Sequence, residues 1–290
     1  MNRALKKILI FGAYGSLGRI ISKDLSKKFN ILRVGREERS QIKIKSYNNI
    51  PEIIKKNSPD IIINLIANTD VDDCEKSKSK TKISNIYTVK KITEGIKKVK
   101  KIIQFIHFST DQVYSKIKIK NKEIDAKPIN YYAKTKFESE KIAIRQNAIV
   151  IRTNFIGKQS TKKKKSLTDW IYFNLKRNNQ IYGFKNIFFN PVHTSTISKI
   201  IIKIINKKKM RGIFNLGSEG FISKNDLIKI FLSKSKKLEL LKSIDYNKEN
   251  TFAVRPLNMV MDSTKIKKRL SIKIPSVRSE INKSLKEYFK

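Results

Sequence analysis

Apolar residues in the first half of this chain fall into two kinds of cluster. Short unbroken runs at Lys7–Phe11, Phe29–Val34, Asp60–Ala67 (DIIINLIA), Ile102–Phe108 and Ala148–Arg152 read as strands. The continuous apolarity of Asp60–Ala67 is that of a strand buried on both faces of a parallel sheet. Between these runs, helical spacing or composition marks helices over Leu17–Lys28, Pro51–Asn57, Ile83–Lys98 and Tyr132–Arg145. Strands alternating with helices through short connections predict βαβ units in an α/β fold, a Rossmann-type doubly wound parallel sheet. After about residue 155 the alternation loosens, with helices over Leu167–Arg177, Ser195–Lys207, Ser223–Ser233 and Val277–Tyr288 and a strand near Gly212–Leu216. No repeat and no Gly/Ser/Pro-rich linker divides the chain. The expected organisation is a Rossmann-type domain over 1–155 and a smaller C-terminal α/β region over 156–290, partly interleaved with it; the motifs below make the first the NAD(P)-binding domain and the second the substrate-binding region.

Composition narrows the classes. With 290 residues and 39% hydrophobic content there is material for a buried core, which argues against a disordered chain. One cysteine, Cys74, excludes a disulfide framework, and with only His107 and His193 beside it no zinc cluster or other metal site is expected. No apolar run approaches the ~20 residues that span a bilayer, and Met1–Lys7 leads into the first strand without the small-residue cleavage site of a signal peptide. A soluble, cytoplasmic protein is expected. The net charge of +41 raises nucleic acid as a partner. Of the 65 basic residues, however, only 12 are arginines, and the 53 lysines run from one end of the chain to the other. Abundant Lys, Ile and Asn with scarce Ala, Gly and Pro read as the coding bias of an AT-rich genome. No nucleic-acid partner is therefore expected, and the densest cluster, Lys162–Lys165, reads as a mobile loop.

Four constellations carry candidate chemistry. Gly12-Ala13-Tyr14-Gly15-Ser16-Leu17-Gly18 stands between the first strand and the first helix. Three glycines at this spacing allow a tight turn, close approach of a pyrophosphate and tight helix–sheet contact, with the helix N-terminus facing the phosphates. A plain turn also uses glycine; the position after the first strand of a βαβ pattern favours a dinucleotide. At the end of the second strand, Gly35-Arg36 occupies the place where an NAD site offers an acid to the ribose 2′-hydroxyl. A guanidinium there suits a 2′-phosphate, so NADPH is expected, with NADH as the alternative. Ser109-Thr110-Asp111 closes the Ile102–Phe108 strand, at the sheet edge that borders a ligand crevice; the same residues could simply cap the next segment. Finally, Tyr132 and Lys136 are four apart on one helical face. A neighbouring ammonium favours phenolate, which makes a tyrosine a usable general acid or base.

Taken in order, these residues resemble the extended short-chain dehydrogenases/reductases, and within them the sugar-nucleotide reductases. The resemblance rests on Gly12–Gly18, Pro59–Glu75 (PDIIINLIANTDVDDCE), Phe108–Tyr114 (FSTDQVY), Pro128–Glu140 (PINYYAKTKFESE), Arg152-Thr153 and Arg255–Asp262 (RPLNMVMD), and so spans nearly the whole chain. It implies NADPH-dependent reduction of the 4-keto group of a nucleotide-activated 6-deoxy sugar, feeding surface-polysaccharide synthesis. The alternatives on the same scaffold are a reductase or epimerase of another nucleotide sugar, or a non-catalytic cofactor-binding regulatory subunit. By resemblance Tyr132 is the acid, Lys136 holds the nicotinamide ribose and Thr110 orients the carbonyl. Ala67, Asn68, Thr69 and Phe108 line the cofactor. Asp111, Phe155, His193, Arg255 and Asn258 face the substrate, and a homodimer is the assembly suggested. Four departures stand out: Asn68 where relatives often have histidine, Ala133 where they often have glycine, Phe155 where many have tryptophan, and no acidic residue over Ser40–Tyr47 where relatives often place one near the adenine. Trp170 reads as an anchor for a helix of the second region.

Overall fold

The computed structural model describes residues 5–115, 120–159, 166–247 and 252–289; the Lys162–Lys165 cluster lies outside the described residues. The first part of the chain runs β1 (Lys7–Phe11), α1 (Ser16–Leu25), β2 (Asn30–Gly35), β3 (Ile42–Lys43), α2 (Ile50–Asn57), β4 (Ile61–Asn64), α3 (Val71–Lys76), α4 (Lys78–Lys82), α5 (Thr88–Lys97), β5 (Gln104–Thr110), α6 (Tyr131–Ile144) and β6 (Ile149–Thr153). It continues through β7 (Phe155–Ile156), α7 (Leu167–Lys176), β8 (Ile181–Phe184), β9 (Phe188–Phe189), β10 (Val192–His193), α8 (Thr194–Asn206) and β11 (Gly212–Leu216). Last come β12 (Ile222–Ser223), α9 (Lys224–Lys234), β13 (Leu241–Ile244), α10 (Thr264–Leu270) and α11 (Val277–Tyr288).

Seven strands form one sheet in the order β3-β2-β1-β4-β5-β6-β11. β1 runs parallel to β2 and β4, β2 to β3, and β4 to β5. The expected α/β doubly wound architecture is therefore present, and its strand order reverses between β1 and β4, where such sheets bind ligands at the carboxyl ends of their strands. β1 and β4 are buried because helices cover both faces, which explains their unbroken apolar composition. Leu9, Phe11, Ile62, Phe105 and Val150 from the sheet pack with Ile50, Ile54, Val89 and Ile92 from α2 and α5.

Several boundaries differ from the sequence pattern, β5 by two residues at each end, and three others have a clear local reason. α1 stops at Leu25, and the Phe29 N–H turns back onto the Leu25 carbonyl. β4 ends at Asn64, whose own Oδ1 accepts the Ile66 N–H at 3.1 Å and diverts the backbone from the ladder. The helix expected over Ile83–Lys98 opens with one wide turn, Ile83–Tyr87, before α5 begins.

The chain divides into two compact units, the first being Met1–Thr110, Asn130–Arg152 and Ile197–Phe214, the second Asp111–Ile129, Thr153–Thr196 and Asn215–Lys290. The first carries the sheet; β11 joins its edge, where the Gly212 N–H donates to the Ala148 carbonyl at 3.0 Å. The second is built on three two-stranded ribbons, β7/β10, β8/β13 and β9/β12. Its own core gathers Ile171, Leu175, Phe189, Leu227, Phe231, Met259 and Ile281. Trp170 is not an anchor there, since it stands 39% exposed on α7.

Candidate active site

The turn after β1 is fixed by the Gly12 and Ala13 N–H groups, which donate to the Val34 carbonyl at 3.1 and 3.3 Å. Gly12 takes φ +80°, a conformation that favours glycine, and a Cβ there would fall 3.0 Å from the Leu65 carbonyl carbon. At Gly18 a Cβ would sit 2.1 Å from the Gly12 oxygen, so α1 can approach the turn only without a side chain. Gly15 precedes α1 with no side-chain cap, and the first-turn N–H groups at Ser16 and Leu17 have no partner within the helix. A cradle without Cβ atoms, closed by an uncapped helix N-terminus, fits a pyrophosphate.

Tyr14 locks this turn to the next strand. Its carbonyl accepts from Arg19 Nε at 2.9 Å and its Oη accepts the Gln41 N–H at 2.7 Å. Its ring lies where a Cβ on Gly35 would come within 2.7 Å, which is why β2 ends in glycine. Arg36 follows, exposed, with Nη1 donating to Tyr47 Oη at 3.1 Å. The two acids behind it are taken up by basic neighbours, Glu37 by Arg39 at 2.8 Å and Glu38 by Lys43. Arg36 therefore remains the group at the end of β2 suited to a 2′-phosphate.

Gly18→Ala is expected to cost about 1–3 kcal/mol of stability by overpacking and to raise the Kd for NADPH at least about tenfold. Fluorescence titration of the variant checks this. Wild-type affinity would show that the turn is not the dinucleotide cradle.

β5 and α6 hold the candidate catalytic residues. Thr110 is the last residue of β5, while Tyr132 and Lys136 sit buried one turn apart on α6. The helix starts where Asn130 accepts the Ala133 N–H at 2.8 Å and Glu75 accepts the Tyr131 N–H at 2.7 Å. Lys136 Nζ donates to the Phe108 carbonyl at 2.7 Å, binding the helix to the strand that ends in Thr110. Burial pushes the Lys136 ammonium down to about 8, against the opposing pull of Glu140 one turn further on. Glu140 is itself buried and grips Arg152 of β6 through Nε at 3.0 Å and Nη2 at 2.6 Å, while accepting the Ser109 hydroxyl.

Two polar chains, neither apparent from the motifs, run behind this face. Asn64 Nδ2 lies 3.1 Å from His107 Nδ1, and His107 Nε2 lies 3.0 Å from Ser139 Oγ, which donates to the Lys136 carbonyl at 2.7 Å. With the Asn64 oxygen held by the Ile66 N–H, its amide donates to His107, placing the ring proton on Nε2. Burial first, and the Lys136 charge second, hold His107 well below the ordinary histidine range, so it is neutral. In the second chain, Asn85 exchanges hydrogen bonds with the Asn68 peptide and donates to Thr135 Oγ1 at 2.9 Å. The wide turn at Ile83–Tyr87 is what carries Asn85, and such turns recur at functional sites. The available signal was polar Asn64 and His107 inside otherwise apolar strands, where a buried polar group requires a partner.

Ala67, Asn68 and Thr69 follow the carboxyl end of β4, with Asn68 buried and Thr69 exposed. The Asn68 side chain donates to Asp73 at 2.7 Å and Thr81 at 3.3 Å, a structural employment for the residue that replaces the frequent histidine. Phe108 is buried on β5, beside its carbonyl's bond to Lys136.

The five candidate substrate residues all belong to the second unit. Asp111 is buried and accepts from Asn154 Nδ2 at 2.8 Å, next to Phe155, which opens β7 and pairs with Val192. Asn258 bridges to Phe188 and its Oδ1 accepts the Val260 N–H at 3.0 Å. The Arg255 N–H donates to Tyr246 Oη at 2.9 Å and its Nη1 to the Ala253 carbonyl at 3.0 Å. His193 is held on three sides. Its N–H donates to Glu280 at 2.6 Å, its Nδ1 accepts from Ser195, and its Nε2 lies 3.3 Å from Glu287 without hydrogen-bond alignment.

A seven-stranded Rossmann sheet, a three-glycine turn after its first strand, and a Tyr/Lys pair beside a hydroxyl-bearing strand end together define a short-chain dehydrogenase/reductase. The RmlD substrate binding domain family matches residues 6–290, and the chain belongs to that family. The dTDP-4-dehydrorhamnose reductase of Aggregatibacter actinomycetemcomitans is 28% identical over 303 residues, covering 98% of this chain and 99% of that protein. The crystal structure of dTDP-4-dehydrorhamnose reductase from Bacillus anthracis, in complex with NADP, has a similar fold with a TM-score of 0.87 at 18% identity. It covers 98% of this chain and is itself covered to 99%. A hypothetical dTDP-4-dehydrorhamnose reductase from Sulfolobus tokodaii is similar at a TM-score of 0.80 and 27% identity, over 93% of this chain and 97% of that one. The recognition made from the motifs is borne out at the level of the family. No helix among the described residues is long and apolar enough to cross a membrane.

Proposed function

We propose that this chain is an NADPH-dependent reductase of the dTDP-4-dehydrorhamnose reductase type, acting in the cytoplasm on the 4-keto group of a nucleotide-activated 6-deoxy sugar for surface polysaccharide. The observation that carries the reading is Lys136. A buried ammonium stands one helical turn from Tyr132 and is bonded to the end of the strand that bears Thr110. In this reading the first unit, with the glycine turn and Arg36, holds the dinucleotide, and the second unit recognises the nucleotide sugar.

When bound, NADPH supplies the hydride that adds to the sugar's keto carbon. The Thr110 hydroxyl donates a hydrogen bond to the carbonyl oxygen and fixes its direction. Tyr132 Oη gives its proton to that oxygen as the carbon is reduced, so hydride and proton together complete the alcohol. The Lys136 ammonium stabilises the phenolate left behind, which solvent then reprotonates. Ser16, Leu17 and Gly18 offer backbone N–H groups to the pyrophosphate, and Arg36 offers its guanidinium to the 2′-phosphate.

The test is loss of NADPH absorbance with dTDP-4-keto-6-deoxy-L-mannose generated in situ. Turnover is expected, with NADPH preferred over NADH at least about tenfold, the worth of one charge-assisted phosphate contact. Bound NADPH without turnover would overturn the reading in favour of another nucleotide sugar or a non-catalytic subunit.

A further inference from the structure

His107 stands where the fold asks for an apolar residue. It lies in β5, buried at every residue from Phe105 on, and the ring itself is wholly buried. Phe105 and Ile106 before it, and Ile62 and Ile63 on β4, are apolar, and one more apolar side chain would need no partner. β4 and β5 run parallel with Asn64 in register with His107, so the two side chains share one face of the sheet. α6 supplies Ser139, one turn after Lys136 on the same side of the helix. Asn64 and Ser139 are also wholly buried, and the whole row belongs to the first unit. Polar groups inside a dry core are costly unless each finds its partner, whereas apolar residues of the same shape in their place would be nearly neutral.

What the row gains is direction. The Ile66 N–H takes the Asn64 oxygen, the Asn64 amide donates to His107 Nδ1, the ring Nε2–H donates to Ser139 Oγ, and the Ser139 hydroxyl donates to the Lys136 carbonyl. With the Asn64 oxygen taken, the remaining donors and acceptors fit together one way round. The row begins at Ile66, one residue before Ala67 in the turn that follows β4, and ends on the backbone of Lys136. The next residue of β5 grips the other end of the same lysine, since the Phe108 carbonyl accepts from Nζ at 2.7 Å. Consecutive strand residues thus hold Lys136 at its carbonyl and at its ammonium. A free lysine side chain samples many rotamers, and holding both ends removes that freedom before a ligand arrives. The ring must be neutral to take part. Protonated, it would turn an Nδ1–H toward the Asn64 amide, donor against donor, and set a second cation beside Lys136. Burial and the Lys136 charge both keep it neutral.

We propose that His107 is a positioning residue which, through Ser139, sets Lys136 for the dinucleotide and for Tyr132, an inference that rests on the reductase reading above. It works from within the core, and the group it works through is Lys136. Asn64 orients the ring from the turn on the cofactor side of the sheet.

The experiment compares the full-length wild type with His107→Leu, His107→Gln and Ser139→Ala in NADPH calorimetry, urea unfolding and steady-state reduction of dTDP-4-keto-6-deoxy-L-mannose. Leucine occupies the ring's place without a hydrogen bond, while glutamine keeps a neutral acceptor and donor. Alanine at position 139 suits a helix interior and carries the test should the leucine variant fail to fold. His107→Leu and Ser139→Ala are expected to lower kcat about 10- to 100-fold, the effect of a small misplacement of a working group. KM for the keto sugar should stay within about twofold of wild type. The NADPH Kd should rise about three- to tenfold, since Lys136 holds the nicotinamide ribose in the same reading. His107→Gln should bring kcat and Kd back to within about threefold of wild type. Unfolding midpoints that drop while kcat and NADPH affinity hold would overturn the proposal and make the row a structural tie. A glutamine variant no better than the leucine variant would overturn it as well. NADPH binding that depends on His107, without keto-sugar turnover, would uphold the positioning of Lys136 and overturn the reductase. Turnover and NADPH affinity indifferent to His107 and Ser139 would do the reverse, and a wild type that binds no NADPH would overturn both.

Discussion

Arg152→Met is expected to destabilise the protein by about 3–5 kcal/mol, the cost of removing one partner from a buried ion pair. Arg152 and Glu140 are each about 1% exposed, and the carboxylate takes two guanidinium hydrogen bonds and the Ser109 hydroxyl. Methionine fills the volume but leaves the buried Glu140 carboxylate without its guanidinium partner. Urea midpoints of the wild type and the variant check this, and a loss under about 1 kcal/mol would mean that the pair does not carry this junction. Pairing Arg152→Met with Glu140→Leu should recover most of the stability, because a buried ion pair replaced whole by apolar groups is often neutral. Activity should not return with it. Ser109 adjoins Thr110 and Glu140 lies one turn from Lys136, so the network holds the strand end to the helix that works beside it.

The same network marks the limit of what the chain discloses by inspection. Tyr132 and Lys136 were legible because four-residue spacing on a helix is a local fact, and the glycine turn because Gly12, Gly15 and Gly18 each solve a local backbone problem. Glu140 and Arg152 are equally visible as letters, but their pairing joins a helix to a separate strand, and no periodicity encodes that meeting. Asn64 and His107 could be noticed as polar residues inside apolar runs, yet the identity of Ser139 as the third member depends on packing. The strand at Gly212–Leu216 was readable from its apolar run. Its place on the edge of the main sheet was not, since it rests on a Gly212–Ala148 bond between distant segments. In the second unit the strands of β7, β9, β10 and β12 are two residues long, too short to show a period of two. His193 illustrates a different gap. A motif places the segment, but only the structure shows its ring engaged by Ser195 beside Glu287.

Tyr132→Phe is expected to lower kcat by about 10²–10⁴, the range for removing a positioned general acid, with NADPH affinity and unfolding midpoint near wild type. The ring stays in its buried place on α6 and only the phenolic oxygen is lost. Turnover that survives would remove Tyr132 as the acid and leave the proton to Thr110 or solvent. Lys136→Met separates the acid from the group that tunes it. Lys136 keeps a buried ammonium whose pKa has fallen from 10.5 to about 8. At pH 7 the folded state bears the cost of that charge; between about 8 and 10.5 the unfolded chain binds more protons, and stability rises with pH. Methionine removes the cost, so the variant should unfold at an equal or higher urea concentration at neutral pH and lose the rise between pH 8 and 10.5. Its kcat should fall alongside that of Tyr132→Phe, and its NADPH affinity should fall too, which the tyrosine variant's should not. A lysine whose removal steadies the fold and stops the reaction is placed there for the chemistry. A variant that instead lost stability, with turnover intact, would make the Phe108 bond a structural tie and nothing more.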